Sequence, residues 1–490
     1  MRAIQGSKRK FVFNTVHELA AAIRLREISA EEVVQAFLSQ IAQHNTKLNA
    51  IVTLNIEGAQ KRAREADAAI TRGELWGPFH GVPVTFKDSI ATAGLRTTSG
   101  YPDLANFCPT ADATVVARLR SAGAIVLGKT NLPALAGDVQ TNNAVFGRTN
   151  NPWNLEFTPG GSTGGGAAAV AAGFTPLEIG SDIGGSVRIP AHYCGVFGLK
   201  PTDHRVPVTG HIPELPGRPR GVRHMNVIGP LARSVQDLSL ALSVMAGPDG
   251  EDSEIPPVPL ECTGPKNLHQ ARIAWTDNFG GLPVAHETRK SLERLAIEIA
   301  GEGASVEYVT LNGLDFCTVW ETWGELAQME RASSMSVEEE IERERRINAG
   351  SHPEEPLLRG AARRLNANVR QYAATLRQRD QVIFAVDRLF EAWDLLLCPV
   401  TVTTALRHCT PGTPITVDGI QVPYWIGAMG FCMPFNLSGH PAVTVPLTVS
   451  SEGLPIGMQV VGARWTDMRL LSLAAELSDI IGPVRHPPGY

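Results

Sequence analysis

Near its start the chain spaces apolar residues at helical intervals behind capping signals. Thr15-Val-His-Glu18 and Ser29-Ala-Glu-Glu32 each set a hydroxyl three positions before a Glu. The second opens onto Val33, Val34, Phe37, Leu38 and Ile41, so two capped amphipathic helices are predicted. The period then changes: in Gly81-Val-Pro-Val-Thr-Phe-Lys-Asp88, Val82, Val84 and Phe86 alternate with Thr85 and Lys87, as in a strand. Ala113 to Ala122 reads as a helix stopped by Gly123, and Ala124-Ile-Val-Leu-Gly128 as a short buried strand. Trp393-Asp-Leu-Leu-Leu-Cys-Pro-Val400, Pro441-Ala-Val-Thr-Val-Pro446 and Ile456-Gly-Met-Gln-Val-Val-Gly462 add three more strands. Helices interleaved with buried strands predict an α/β layered fold. Residues 150–230 are rich in Gly and Pro and suit function-bearing loops. From about 315 to 397 the pattern is helical and charged, and the run beginning Ser336-Val-Glu-Glu-Glu reads as a solvated helix face. No repeat or low-complexity linker marks a boundary, so the expectation is a single domain over 1–490 with a variable helical region at about 310–390.

Composition narrows the partners. A hydrophobic share of 43% with 19% charged residues is enough for a large core and excludes a disordered chain. A net charge of −5 lacks the basic footprint of a nucleic-acid or anionic-membrane binder, which leaves a small-molecule substrate. The cysteines Cys108, Cys194, Cys262, Cys317, Cys398, Cys409 and Cys432 are odd in number and form no Cys-x-x-Cys pair, as expected for a reducing, cytoplasmic setting. The first ten residues are basic like a signal peptide, but Asn14, His17, Glu18 and Arg24 interrupt the apolar run that should follow. No stretch is long and apolar enough to predict a membrane span. A homodimer is the default assembly by frequency alone.

Two glycine loops hold the candidate chemistry. Gly160-Gly-Ser162-Thr-Gly164 and Gly184-Gly-Ser186-Val-Arg188 each put a serine directly behind a glycine pair. Neither contains the lysine of a phosphate-binding loop, and neither follows a strand with dinucleotide-binding spacing. The first loop matches the Gly-x-Ser-x-Gly nucleophile elbow, with Ser162 as nucleophile. That motif needs a strand immediately before it, whereas Asn150 to Pro159 contains two prolines and no alternation. It also needs a later acid and histidine, and His352, His408, His440 and His486 have no distinguishing context. A third reading uses both serines with a lysine as base. Holding a lysine neutral at pH 7 costs roughly 4.6 kcal/mol, within what desolvation supplies. Lys87 falls on the strand face opposite Val84 and Phe86, and its neighbour Asp88 points away. A buried base and an exposed lysine at a strand end are both open on the residues alone.

The segments Gly81 to Asp88, Gly160 to Gly165 and Gly180-Ser-Asp-Ile-Gly-Gly-Ser-Val-Arg-Ile-Pro190 together closely resemble the amidase signature family. The likeness continues through Cys194-Gly-Val-Phe-Gly-Leu-Lys-Pro-Thr202, Gly229-Pro-Leu-Ala-Arg-Ser234 and Pro434-Phe-Asn-Leu-Ser-Gly-His440. Only about 310–390 lacks recognisable family motifs. The resemblance implies α/β/α layers around a large mixed, mostly parallel central sheet, and a serine hydrolase that cleaves carboxylic amides, with esters as further substrates. It implies a Ser-Ser-Lys triad: Ser186 as nucleophile, Lys87 as general base and later acid, and Ser162, after a cis bond from Gly161, as the bridging serine.

By the same resemblance the N–H groups of Ile183, Gly184, Gly185 and Ser186 form the oxyanion hole, where a Cβ at 184 or 185 would intrude on the acyl oxygen. Asp182 and Arg188 brace the loop, Arg188 having a second reading as a binder of substrate carboxylate. Ala136 and Gly137 line a roomy acyl pocket. Thr163 stands where relatives often carry a second serine, and Ala134 where many carry Glu. No cofactor is implied, and the 13 histidines show no metal-ligand spacing. The alternative within the family is the glutaminase-like subunit of a tRNA-dependent amidotransferase, which works with partner subunits. Phe435 to His440 looks more like the free-standing amidases.

Overall fold

The computed structural model describes residues 11–212, 216–218, 220–261, 264, 267–333, 336 and 355–490. Both predicted capping boxes form. Glu18 N donates to Thr15 Oγ1 at 3.2 Å and Thr15 N to the Glu18 carboxylate at 2.7 Å, which starts the helix Val16–Arg24. Ser29 and Glu32 make the same exchange at the start of Ala30–Leu48.

Eleven strands form one sheet: β1 (Ile51–Leu54), β2 (Pro83–Lys87), β3 (Ile125–Thr130), β4 (Leu177–Asp182), β5 (Phe197–Lys200), β6 (Val227–Ala232), β7 (Arg272–Trp275), β8 (Ser305–Tyr308), β9 (Leu395–Pro399), β10 (Ala442–Val449) and β11 (Pro455–Val461). Their spatial order is β1-β3-β2-β4-β6-β5-β10-β11-β9-β7-β8. The sheet is mixed, but the expectation that it is mostly parallel is corrected. Only β2–β3, β2–β4, β9–β7 and β7–β8 pair in parallel. The neighbour pairs from β4 through to β9, and β1–β3, are antiparallel. A strand buried on both faces reads as the same apolar run whichever way it points, so periodicity carries no direction.

The layering follows from the pleat. Along β9, Leu395 and Leu397 join one core cluster while Leu396 and Cys398 join another, as alternate side chains must. The first cluster packs Val84, Phe86 and Ile179 against the N- and C-terminal helices. The second packs Phe279 and Phe431 with Trp320 and Trp323 of the helix Phe316–Ala332. That helix, with Pro356–Ala362 and Val369–Ala392, bears out the helical reading for the described residues between 316 and 392, while 395–397 belong to β9. The charged run read as a solvated face lies, apart from Ser336, outside the described residues, as does His352. Among the described residues no helix is long and apolar enough to cross a membrane.

Candidate active site

Parallel pairing sets the place. Because β2 and β4 run side by side, with Phe86 opposite Ile179, their carboxyl ends at Lys87 and Asp182 share one edge of the sheet. Loops leaving that edge hold the chemistry, the usual place for a site in an α/β sheet. Every residue of β2 is buried, so the Lys87 face is closed as well as the Val84 and Phe86 face. Lys87 Nζ hydrogen-bonds Ser162 Oγ at 2.7 Å and Ser181 Oγ at 3.0 Å. Burial lowers its amine to about 7, against the opposing pull of Asp182 and Glu178. Burial likewise pushes Glu178 up to about 7, and its carboxyl accepts from Thr130 Oγ1 at 2.6 Å. Asp88 turns away, as the pleat requires, and accepts from Thr98 N and Oγ1 at 2.9 and 2.6 Å.

The Gly161–Ser162 peptide bond is cis, where the resemblance located it. No strand precedes Ser162 between residues 149 and 163, which removes the nucleophile-elbow geometry. Instead the helix Gly164–Ala171 begins two residues later, and a Cβ at Gly165 would run into the backbone of Asn131. Glycine there lets the helix lie directly against the loop after β3. Thr163 is buried, and its N–H donates to Ser186 O at 3.1 Å, so the two glycine loops are stitched together.

Asp182 and Arg188 brace the second loop from inside. The guanidinium meets Asp182 through Nη2 and Nε, each at 3.0 Å, with both side chains fully buried. Its other N–H groups reach Cys432 O at 3.1 Å, Gln459 Oε1 at 2.7 Å and Asn436 Oδ1. Burial alone would raise the Asp182 carboxyl; the Arg188 guanidinium and amide donors hold it well below the usual carboxylate range. Arg188 is thereby spent on structure, which corrects its reading as a carboxylate binder. Asp182 also accepts from Gly185 N at 2.8 Å and Val187 N at 3.1 Å. The Gly185 N–H thus points at the brace and not at an acyl oxygen, which leaves Ile183, Gly184 and Ser186 as the loop's donors. The glycines have a further reason within the protein itself. A Cβ at 184 would strike Met429 and Trp323, and residue 185 has φ of +116°, with Ile189 and Cys432 in the way of a side chain.

Ser162 and Ser186 line one narrow pocket together with Ala136 and Ile183. Gly137 is exposed and does not line it, and Ala134 faces out as well. Among the described residues the space beside Ala136 is narrow, not the roomy acyl pocket expected from small residues. Sequence reasoning missed the remaining wall: Ser181, His211, Val222, Asn226 and Arg331. Ser181 lay inside a quoted motif; the others come from distant segments with no local signal. Trp323 Nε1 donates to Ile183 O at 2.9 Å, so the helix outside the family motifs touches the Ser186 loop.

A family model described as Amidase matches residues 32–471, and the chain belongs to that family, the amidase signature enzymes. A glutamyl-tRNA(Gln) amidotransferase subunit of Geobacillus thermodenitrificans is 32% identical over 484 residues, 94% of this chain and 96% of the relative. The solved structure of 6-aminohexanoate cyclic dimer hydrolase complexed with substrate superposes with a TM-score of 0.81 at 28% identity, over 97% of this chain and 99% of that one. A bacterial aryl acylamidase of the amidase signature family gives 0.81 at 29%, over 96% of each chain. The protein is thus an amide hydrolase of this family. The curated relative carries the name of the alternative reached from sequence, while the two solved structures carry hydrolase and amidase names.

Proposed function

We propose that the protein hydrolyses small-molecule carboxylic amides through an acyl-enzyme on Ser186. The observation that carries this reading is a fully buried lysine, lowered to about 7, 2.7 Å from the hydroxyl of Ser162 in the pocket that Ser186 also lines. Ser186 Oγ attacks the amide carbonyl as its proton passes to Ser162, whose own proton moves to Lys87 Nζ. The oxyanion that forms is met by the N–H groups of Ile183, Gly184 and Ser186, each such donor being worth about 2.7–4 kcal/mol. Collapse expels the amine, which takes a proton from Lys87 through Ser162. Water then attacks the acyl ester by the same path, releasing the carboxylic acid and restoring Ser186.

The second reading, a glutaminase working within a complex of partner proteins, is favoured by the 32% identical relatives. The pocket wall favours the first. Glutamine carries an ammonium and a carboxylate on one carbon, and no acidic side chain to meet the ammonium is among the described residues lining the pocket. Mass spectrometry after a fluorophosphonate probe should find the label on Ser186, and a label on Ser162 alone overturns the assignment. Turnover of uncharged amides by the isolated chain supports the first reading. Hydrolysis of glutamine alone, raised by amidotransferase partner proteins, replaces it with the second.

A further inference from the structure

We propose that Ser181 and His211 fix the direction of the hydrogen bonds around Lys87, so that its one lone pair faces Ser162; this rests on the amide-hydrolase reading above. An uncharged amine has two N–H donors and a single acceptor site. For Lys87 to take a proton from Ser162, that site must face Ser162 and an N–H must point at Ser181. The Ser181 hydroxyl has one proton and two neighbours, Lys87 Nζ at 3.0 Å and His211 Nε2 at 2.9 Å. If the proton goes to Lys87 it fills the lone pair and the base is blocked. If it goes to His211, the chain runs one way from Ser162 through Lys87 and Ser181 to the imidazole.

His211 is built to be that acceptor. Its backbone is pinned beside the end of β2: its N–H donates to Val208 O at 2.9 Å, it bridges Ile90, and Ile212 N donates to Ser89 O at 2.7 Å. Burial lowers the imidazole most, and cationic Arg220, joined by Lys87 only when its amine is protonated, acts in the same direction, so the ring stays neutral with one nitrogen able to accept. The other nitrogen, Nδ1, lies 3.3 Å from Asn226 Nδ2, an amide whose nitrogen and oxygen exchange places by a half-turn about the Cβ–Cγ bond. With that amide turned so that its oxygen meets Nδ1–H, Nε2 is the acceptor. His211 also stands between the Ser186 pocket and a neighbouring surface groove that includes Thr209 and Arg220. Ser181 and His211 are positioning residues: neither needs to touch substrate.

Steady-state kinetics on one amide test this. His211→Phe removes the acceptor and should lower kcat about tenfold with KM within about twofold, kcat being taken per active site titrated to completion with the fluorophosphonate probe so that an unfolded fraction does not count. His211→Gln, whose carbonyl oxygen reaches the Nε2 position, should restore most of the loss. Ser181→Ala should match His211→Phe, and the double variant should be no slower than the worse single. Wild-type kcat in His211→Phe, a folded His211→Gln as slow as His211→Phe, or losses that multiply in the double variant would each overturn the proposal. If His211→Phe does not fold, Ser181→Ala against Ser181→Thr makes the same comparison. Retained turnover in Lys87→Ala or Ser186→Ala sinks the hydrolase reading; loss there beside an unaffected His211→Phe sinks only this inference.

Discussion

Two lysines on adjacent strands show what burial does and does not do. Lys87 on β2 and Lys129 on β3 are both fully buried, and the register of Phe86 against Lys129 and Lys87 against Thr130 puts them on opposite faces of the sheet. Desolvation pulls both down, Lys87 to about 7 and Lys129 to about 8. Their partners differ in kind. Lys129 Nζ meets Ile90 O, Thr92 Oγ1 at 3.0 Å and Thr97 Oγ1 at 3.2 Å. Both threonine hydroxyls already give their protons to carbonyls, Thr92 to Ile90 O and Thr97 to Leu95 O, each at 3.1 Å. All three groups around Lys129 can therefore only accept, which matches the three donors of an ammonium. Around Lys87 stand two serine hydroxyls, each of which can donate as well as accept. Burial lowers an amine, but only partners able to hand it a proton make it a base.

The comparison breaks most sharply at Lys87 itself: Lys87→Met should lower kcat by about 10³-fold or more in steady-state assays. Next in size is the pH profile. Because the base must be uncharged, kcat/KM should fall as the pH drops through about 7, and the same limb should persist in Lys129→Met. A limb that moves with Lys129 would assign the base to the wrong lysine. Lys129→Met should instead cost stability, about 3 kcal/mol by denaturant unfolding, since three buried acceptors lose their donor, while kcat/KM stays within about threefold. The smallest effect is Thr97→Val, about 1 kcal/mol of stability with turnover unchanged.

Sequence reasoning reached Lys87 because strand alternation is local: five residues suffice to put it opposite Val84 and Phe86. The capping boxes at Thr15 and Ser29 were readable for the same reason, each being complete within four positions. The glycine loops were visible, yet the crowding that a Cβ at Gly184 would meet was not, because Met429 and Trp323 approach from segments far along the chain. His211 is 30 residues from Ser181, and nothing in its own neighbourhood distinguishes it from the other histidines. The bracing role of Arg188 held, and only its second reading failed, for a related reason. An arginine beside a nucleophile looks free to bind an anion until Asn436 and Gln459, from the far end of the sequence, are seen to occupy it.

The bond from Trp323 Nε1 to Ile183 O reaches further than a packing contact. The Ile183 carbonyl and the Gly184 N–H belong to one rigid amide, so holding the oxygen fixes where the hydrogen points. The indole therefore aims an oxyanion donor of the proposed mechanism from behind, on a helix that lies outside the shared motifs. Anyone retailoring that helix for new acyl groups should leave position 323 untouched, since mutant libraries that randomise it will lose rate along with selectivity.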